Sequence, residues 1–80
     1  MKSLEGGRTM ENYGIRIKNR RLELNMSQQE LADILGYTDR STIAKIETGK
    51  NDITLNKFKE IAIALQISPA KLLGWEDDEQ

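Results

Sequence analysis

The sequence predicts an all-α domain of five short helices, and three observations carry that prediction. Apolar residues recur at spacings of three, four and seven along the chain, the period of helices that each bury one face. Helix-start chemistry stands ahead of the later apolar stretches: Ser27 with Glu30 three residues on, Thr38 or Asp39, Thr54, and Ser68 followed by Pro69. The segments between them are short, as in a compact bundle.

The first helix spans 13–24. The second, 28–35, opens on Ser27 as N-cap, with Glu30 completing a capping box, and ends at Gly36, which can take the left-handed conformation. Either Thr38 or Asp39 caps the third, 40–48. Thr54 starts the fourth, 55–65, and Ser68 with Pro69 at the first helical position starts the fifth, 69–73. Residues 1–9 hold two adjacent glycines and no periodicity and read as a disordered leader or a cloning remnant, with Met10 a second candidate start. Residues 10–75 form the domain, and 76–80 are an acidic tail that suits a solvated end.

The expected core is Ile17, Leu24, Leu31, Ala32, Leu35, Ile43, Ile46, Phe58, Ile61, Ala62, Leu65, Ile67 and Leu72. Two charges interrupt these stripes. Arg21 lies four residues after Ile17 on the apolar face of the first helix, and Glu47 lies four after Ile43 on that of the third. An unpaired charge there is costly, so the economical arrangement is a structural ion pair between them.

The outer face of the third helix is polar: Arg40, Ser41, Lys45 and Thr48. Arg40 and Lys45 can each donate to guanine O6 and N7, Ser41 can donate or accept, and Ala44 is small enough to let the helix approach and touch a thymine methyl. These four are the candidate base contacts if the helix enters the major groove of DNA.

SQQELADILGY, residues 27–37, followed by RSTIAKIETGK, residues 40–50, resembles the helix-turn-helix of the lambdoid phage repressor and Cro family, also called the XRE family. The resemblance runs over residues 13–75 and includes LNKFKEIAIALQIS and PAKLLGW. One departure is the turn at Tyr37, Thr38 and Asp39, one residue longer than the commonest form. The resemblance implies a lambda-repressor-like five-helix DNA-binding domain, base contacts at Arg40, Ser41 and Lys45 with Ala44 nearby, and the internal Arg21–Glu47 salt bridge. It implies phosphate contacts at Gln28 and at Thr48, Lys50 and Asn51, with Asn56 a further candidate; Asp52 would repel phosphate and should turn away. It also implies a transcriptional regulator, a repressor, acting on a pseudo-palindromic operator as a homodimer, whose reading helices lie one duplex turn, ~34 Å, apart. A dimer formed only on DNA satisfies the same geometry. Leu72, Leu73 and Trp75 are the candidate self-complementary patch, unless Trp75 folds back over the core. The ending LLGWED resembles the point where larger temperate-phage repressors pass into a linker, so a repressor N-terminal domain and a small complete regulator both fit.

Composition sets the bounds. With no Cys and no His, zinc fingers and His or Cys chemistry are excluded, and no metal or cofactor is expected. Nothing in the chain assembles a reaction centre, and so small a core leaves little room for a small-molecule pocket. No apolar run approaches ~18 residues, so no membrane partner is expected and the cytoplasm, at the nucleoid, is the default place. The formal net charge of −1 is segregated: residues 10–75 hold ten Lys and Arg against eight Asp and Glu, a net of +2, before the acidic tail. That mild balance suits modest non-specific affinity for DNA, with a second subunit adding to specific binding. The alternative is a protein-interaction module, such as an antitoxin that uses this fold to hold a partner protein.

Overall fold

The computed structural model describes residues 13–75; the leader and the acidic tail expected from sequence lie outside them. Within that span the chain is all-helical: α1 Tyr13–Glu23, α2 Gln28–Leu35, α3 Arg40–Glu47, α4 Leu55–Ala64 and α5 Pro69–Leu72. Four of the five end one residue earlier than their stripes suggest, because Leu24, Thr48, Leu65 and Leu73 close their helices from outside the last regular turn.

Local chemistry sets the boundaries. The capping box at α2 is complete: Glu30 N–H donates to Ser27 Oγ at 2.9 Å, and Ser27 N–H donates to Glu30 Oε1 at 2.7 Å. Gly36 ends the helix at φ 84°, a conformation that glycine adopts without steric penalty. Of the two candidate caps for α3 the chain uses Asp39, whose carboxylate accepts from the Ser41 N–H at 3.2 Å and from the Ser41 hydroxyl at 3.1 Å. Those two bonds hold the Asp39 carboxyl below its ordinary pKa. Thr54 and Ser68 cap α4 and α5 by accepting from Lys57 and Lys71 N–H groups.

The core gathers Ile17, Leu31, Ala32, Ile43, Ile46, Phe58, Ile61, Ala62, Leu65, Leu72 and Leu73. Leu24, Leu35 and Ile67, expected inside, are half-buried at its margin. α3 packs on α2 and α1, α4 on α2 and α5, and α1 on α5. α1 reaches α3 closely because residue 14 is glycine: a Cβ there would lie 2.5 Å from the Glu47 carbonyl oxygen and 2.6 Å from that of Ile46. α1 also fastens α4. Arg20 Nε donates to the Leu65 carbonyl at 2.9 Å and Nη2 to that of Gln66 at 3.1 Å, so a cation sits on the C-terminal carbonyls of α4.

Candidate nucleic-acid interface

α3 has two faces of opposite character. Ile43, Ile46 and Glu47 are buried against the domain, while Arg40, Ser41 and Lys45 are exposed and Ala44 is half-buried between them. The spacing of 40, 41, 44 and 45 is that of one helical stripe, so the four candidate base contacts share a face. Ser41 spends its hydroxyl hydrogen on Asp39, which leaves that oxygen as an acceptor.

The back of this helix is held by charge. Arg21 Nε donates to Glu47 Oε2 at 2.7 Å and Nη2 to Oε1 at 3.2 Å, with the side chains 7% and 2% exposed. Arg21 Nη1 donates to the Met26 carbonyl at 2.8 Å, so this cation also pins the α1–α2 connection. Gln28 Nε2 donates to Glu47 Oε1 at 3.1 Å. No buried side-chain polar atom among the described residues is left without a partner.

The candidate phosphate contacts differ in what they have free. Lys50 and Asn56 are exposed. Thr48 is occupied in ending α3: its hydroxyl donates to the Ala44 carbonyl at 3.0 Å, and its N–H goes to the same oxygen at 3.1 Å. Its oxygen can then only accept, which does not suit a phosphate. The Lys50 and Asn51 N–H groups both donate to the Lys45 carbonyl, at 2.8 and 3.2 Å, so these two residues have only their side chains to offer. It is anchored from α1 by Tyr13, whose hydroxyl donates to the Asn51 carbonyl at 3.1 Å and whose ring meets Phe58 edge-on at 6.2 Å between centroids. Burial, and then the nearby Asp52 carboxylate, raise the Tyr13 pKa. Asp52 itself is exposed.

One expectation needs correcting. Leu72 and Leu73 are not a surface patch: they are 3% and 7% exposed and belong to the core of the single chain, because α5 turns its apolar side onto α1 and α4. Trp75, 40% exposed, is what remains of that patch.

Sequence reasoning missed Gly14, Tyr13, Arg20 and the Gln28–Glu47 bond. Tyr13 was visible as the residue four before Ile17 on the same stripe. Gly14 and Arg20 carry no local signal, since each acts on a backbone carbonyl distant in sequence.

No helix among the described residues is long and apolar enough to cross a membrane. Comparison with known proteins places this architecture. The HTH_3 family model, described as helix-turn-helix, matches residues 17–72. Among solved structures, the restriction-modification controller protein C.AhdI from Aeromonas hydrophila is 32% identical, with a TM-score of 0.71, over 79% of this chain and 94% of its own. The wild-type restriction-modification controller protein C.Esp1396I is 28% identical, with a TM-score of 0.69, over 80% of this chain and 85% of its own. Hydroxypropylphosphonic acid epoxidase from S. wedmorenis is 31% identical, with a TM-score of 0.71, but this chain covers only 33% of that enzyme. No curated protein sequence matches. The family match spans α2, α3 and the core that carries them, and the controller proteins share the domain almost end to end. The chain therefore belongs to the XRE-type helix-turn-helix family of DNA-binding transcription regulators.

Proposed function

We propose that the protein represses transcription by binding a specific double-stranded DNA operator, with α3 in the major groove. The observation that carries this reading is the division of α3: a polar, cationic outer face over a back held by a buried ion pair. A side chain can discriminate base edges only if its backbone is fixed, and the Arg21–Glu47 pair fixes it. Arg40 and Lys45 are the guanine readers, Ser41 faces a base amine, and Ala44 allows the approach. Lys50, Gln28, Asn51 and Asn56 supply phosphate contacts that set the register. The likeness to controller proteins over nearly their whole length supports a small operon regulator of that kind.

A helix of eight residues spans few base pairs, so the operator is a pseudo-palindrome read by two copies related by a two-fold axis. Of Leu72, Leu73 and Trp75, only Trp75 keeps exposed surface to offer a self-contact.

Selection of bound duplexes from a random pool tests binding, half-site symmetry and spacing together. An enriched inverted repeat is expected, with two protein chains per duplex by sedimentation equilibrium. Recovery of no preferred sequence defeats the reading, and a single chain at saturation defeats the dimer. A salt-resistant complex with a protein partner, formed without any operator, would favour an antitoxin-like role instead.

A further inference from the structure

Glu47 closes the last turn of α3, and both its oxygens are used. Oε2 accepts from Arg21 Nε at 2.7 Å, while Oε1 accepts from Arg21 Nη2 at 3.2 Å and from Gln28 Nε2 at 3.1 Å. Arg21 belongs to α1 and Gln28 is the first residue of α2, so the end of α3 is held from two helices at once. A carboxylate only accepts, so it is the nitrogen of the Gln28 amide that faces it, and that nitrogen carries two N–H groups. One is committed to Glu47. The other is available to an acceptor beyond the protein, and Gln28 is only half-buried.

We propose that Gln28 is a positioning residue for base recognition: with one N–H on a DNA phosphate and the other on Glu47, it ties the phosphate anchor at the start of α2 to the far end of the reading helix. This rests on the DNA-reading function proposed above and adds to it a relay between the two kinds of contact. Phosphate contacts fix the register of a protein on the duplex but carry no sequence information, whereas base contacts read sequence. A register set at α2 reaches the base edges only if α3 cannot turn relative to α2. Arg21 holds Glu47 from the α1 side, and Ile43 and Ile46 pack the helix by apolar contact, which is less directional than a hydrogen bond. The Gln28 amide adds a directional link from α2 itself.

The two roles separate by what is lost. A residue that only touches phosphate weakens every duplex by the same factor. A residue that also holds α3 reduces the preference for the operator over a mismatched duplex. Gln28→Met keeps the length of the side chain and deletes both N–H groups. We expect it to lower the operator-to-mismatch affinity ratio about ten-fold, the scale of one hydrogen bond to a charged group. Glu47→Gln keeps one oxygen for Arg21 and leaves Gln28 at most a neutral amide–amide bond in place of one to a carboxylate, so it should lower the ratio too. Adding Gln28→Met to it should then change the ratio less than about two-fold, as expected for two members of one contact. Equal losses on both duplexes, or losses in the ratio that multiply in the double variant, overturn the relay. Should Glu47→Gln not fold, Gln28→Asn decides: its amide is one methylene too short to span both partners, and an unchanged ratio with Asn refutes the proposal. If the wild-type protein itself prefers no duplex, the DNA-reading function falls and the relay with it. If the wild type discriminates and Gln28→Met does so equally well, only the relay falls.

Discussion

Replacing Glu47 by Ala should bring the domain close to unfolding, and the size of the effect follows from the atoms around it. The substitution deletes both acceptors of the Arg21 guanidinium, at 2.7 and 3.2 Å, and the acceptor of Gln28 at 3.1 Å. The Arg21 side chain is 7% exposed, so water cannot replace what is lost. Its remaining bond, to the Met26 carbonyl at 2.8 Å, satisfies one of several donors. A buried charge stranded in this way costs about 3–5 kcal/mol. A domain of this size has roughly 5–10 kcal/mol of stability in all. The companion variant, Arg21→Met with Glu47→Leu, removes both charges and fills the same space with apolar atoms, so it should stay within about 1 kcal/mol of wild type. Urea unfolding of the wild type, Arg21→Met, Glu47→Leu and the double variant gives the full cycle. If the double variant loses the sum of the two single losses, the pair does not act as a unit and the account of how α3 is held is wrong.

Other expectations follow from the same geometry. Arg40→Ala and Lys45→Ala should each relax discrimination at one or two base pairs per half-site by about 1–3 kcal/mol, whereas Lys50→Ala should weaken all sequences alike and flatten the salt dependence; a mismatch series for Lys45→Ala identical to wild type would remove α3 as the reader. Gly14→Ala should lower the stability measured by thermal melting. Helix propensity alone favours Ala by about 1 kcal/mol, but a Cβ 2.5 Å from a backbone carbonyl adds overpacking of about 1–3 kcal/mol or more, and a stabilised variant would show that α1 and α3 are not so close. Burial and the Asp52 carboxylate raise the Tyr13 pKa above 10.0, so the native state holds that proton more tightly than the unfolded chain. Its contribution is therefore complete below the unfolded value and lost as pH rises through the folded one. The thermal midpoint of the wild type should fall more steeply above pH 10 than that of Tyr13→Phe, and parallel curves would count against the Tyr13 anchor.

Some of this was legible in the residues and some was not, for physical reasons. Ser27 with Glu30, Gly36, Thr54 and Ser68 with Pro69 mark helix ends by bonds within a few residues of themselves, so sequence alone places them. Arg21 and Glu47 were legible by a different logic, since each is a charge where its helix should be apolar. The choice between Thr38 and Asp39 depended on a backbone path that composition does not fix. Leu73 was misjudged because α5 has four residues, too few for a stripe to reveal which side is inward. Arg20 and Gln28 resemble ordinary polar helix residues until the fold brings the carbonyls of α4 and the carboxylate of α3 to them.

The reach of the α1 contacts bears on how the chain acquires its shape. Tyr13, Arg20 and Arg21 bind partners 38, 45 and 26 positions away, and none of these bonds can form until the polypeptide extends well past its middle. None of the helices among the described residues exceeds 11 residues, a length at which an isolated helix is marginal in water. The first helix therefore gains these bonds only when the third helix and the end of the fourth are in place. The outer face of α3 is thus set by contacts that span most of the described chain, so its geometry belongs to the whole fold and not to the helix-turn-helix segment alone.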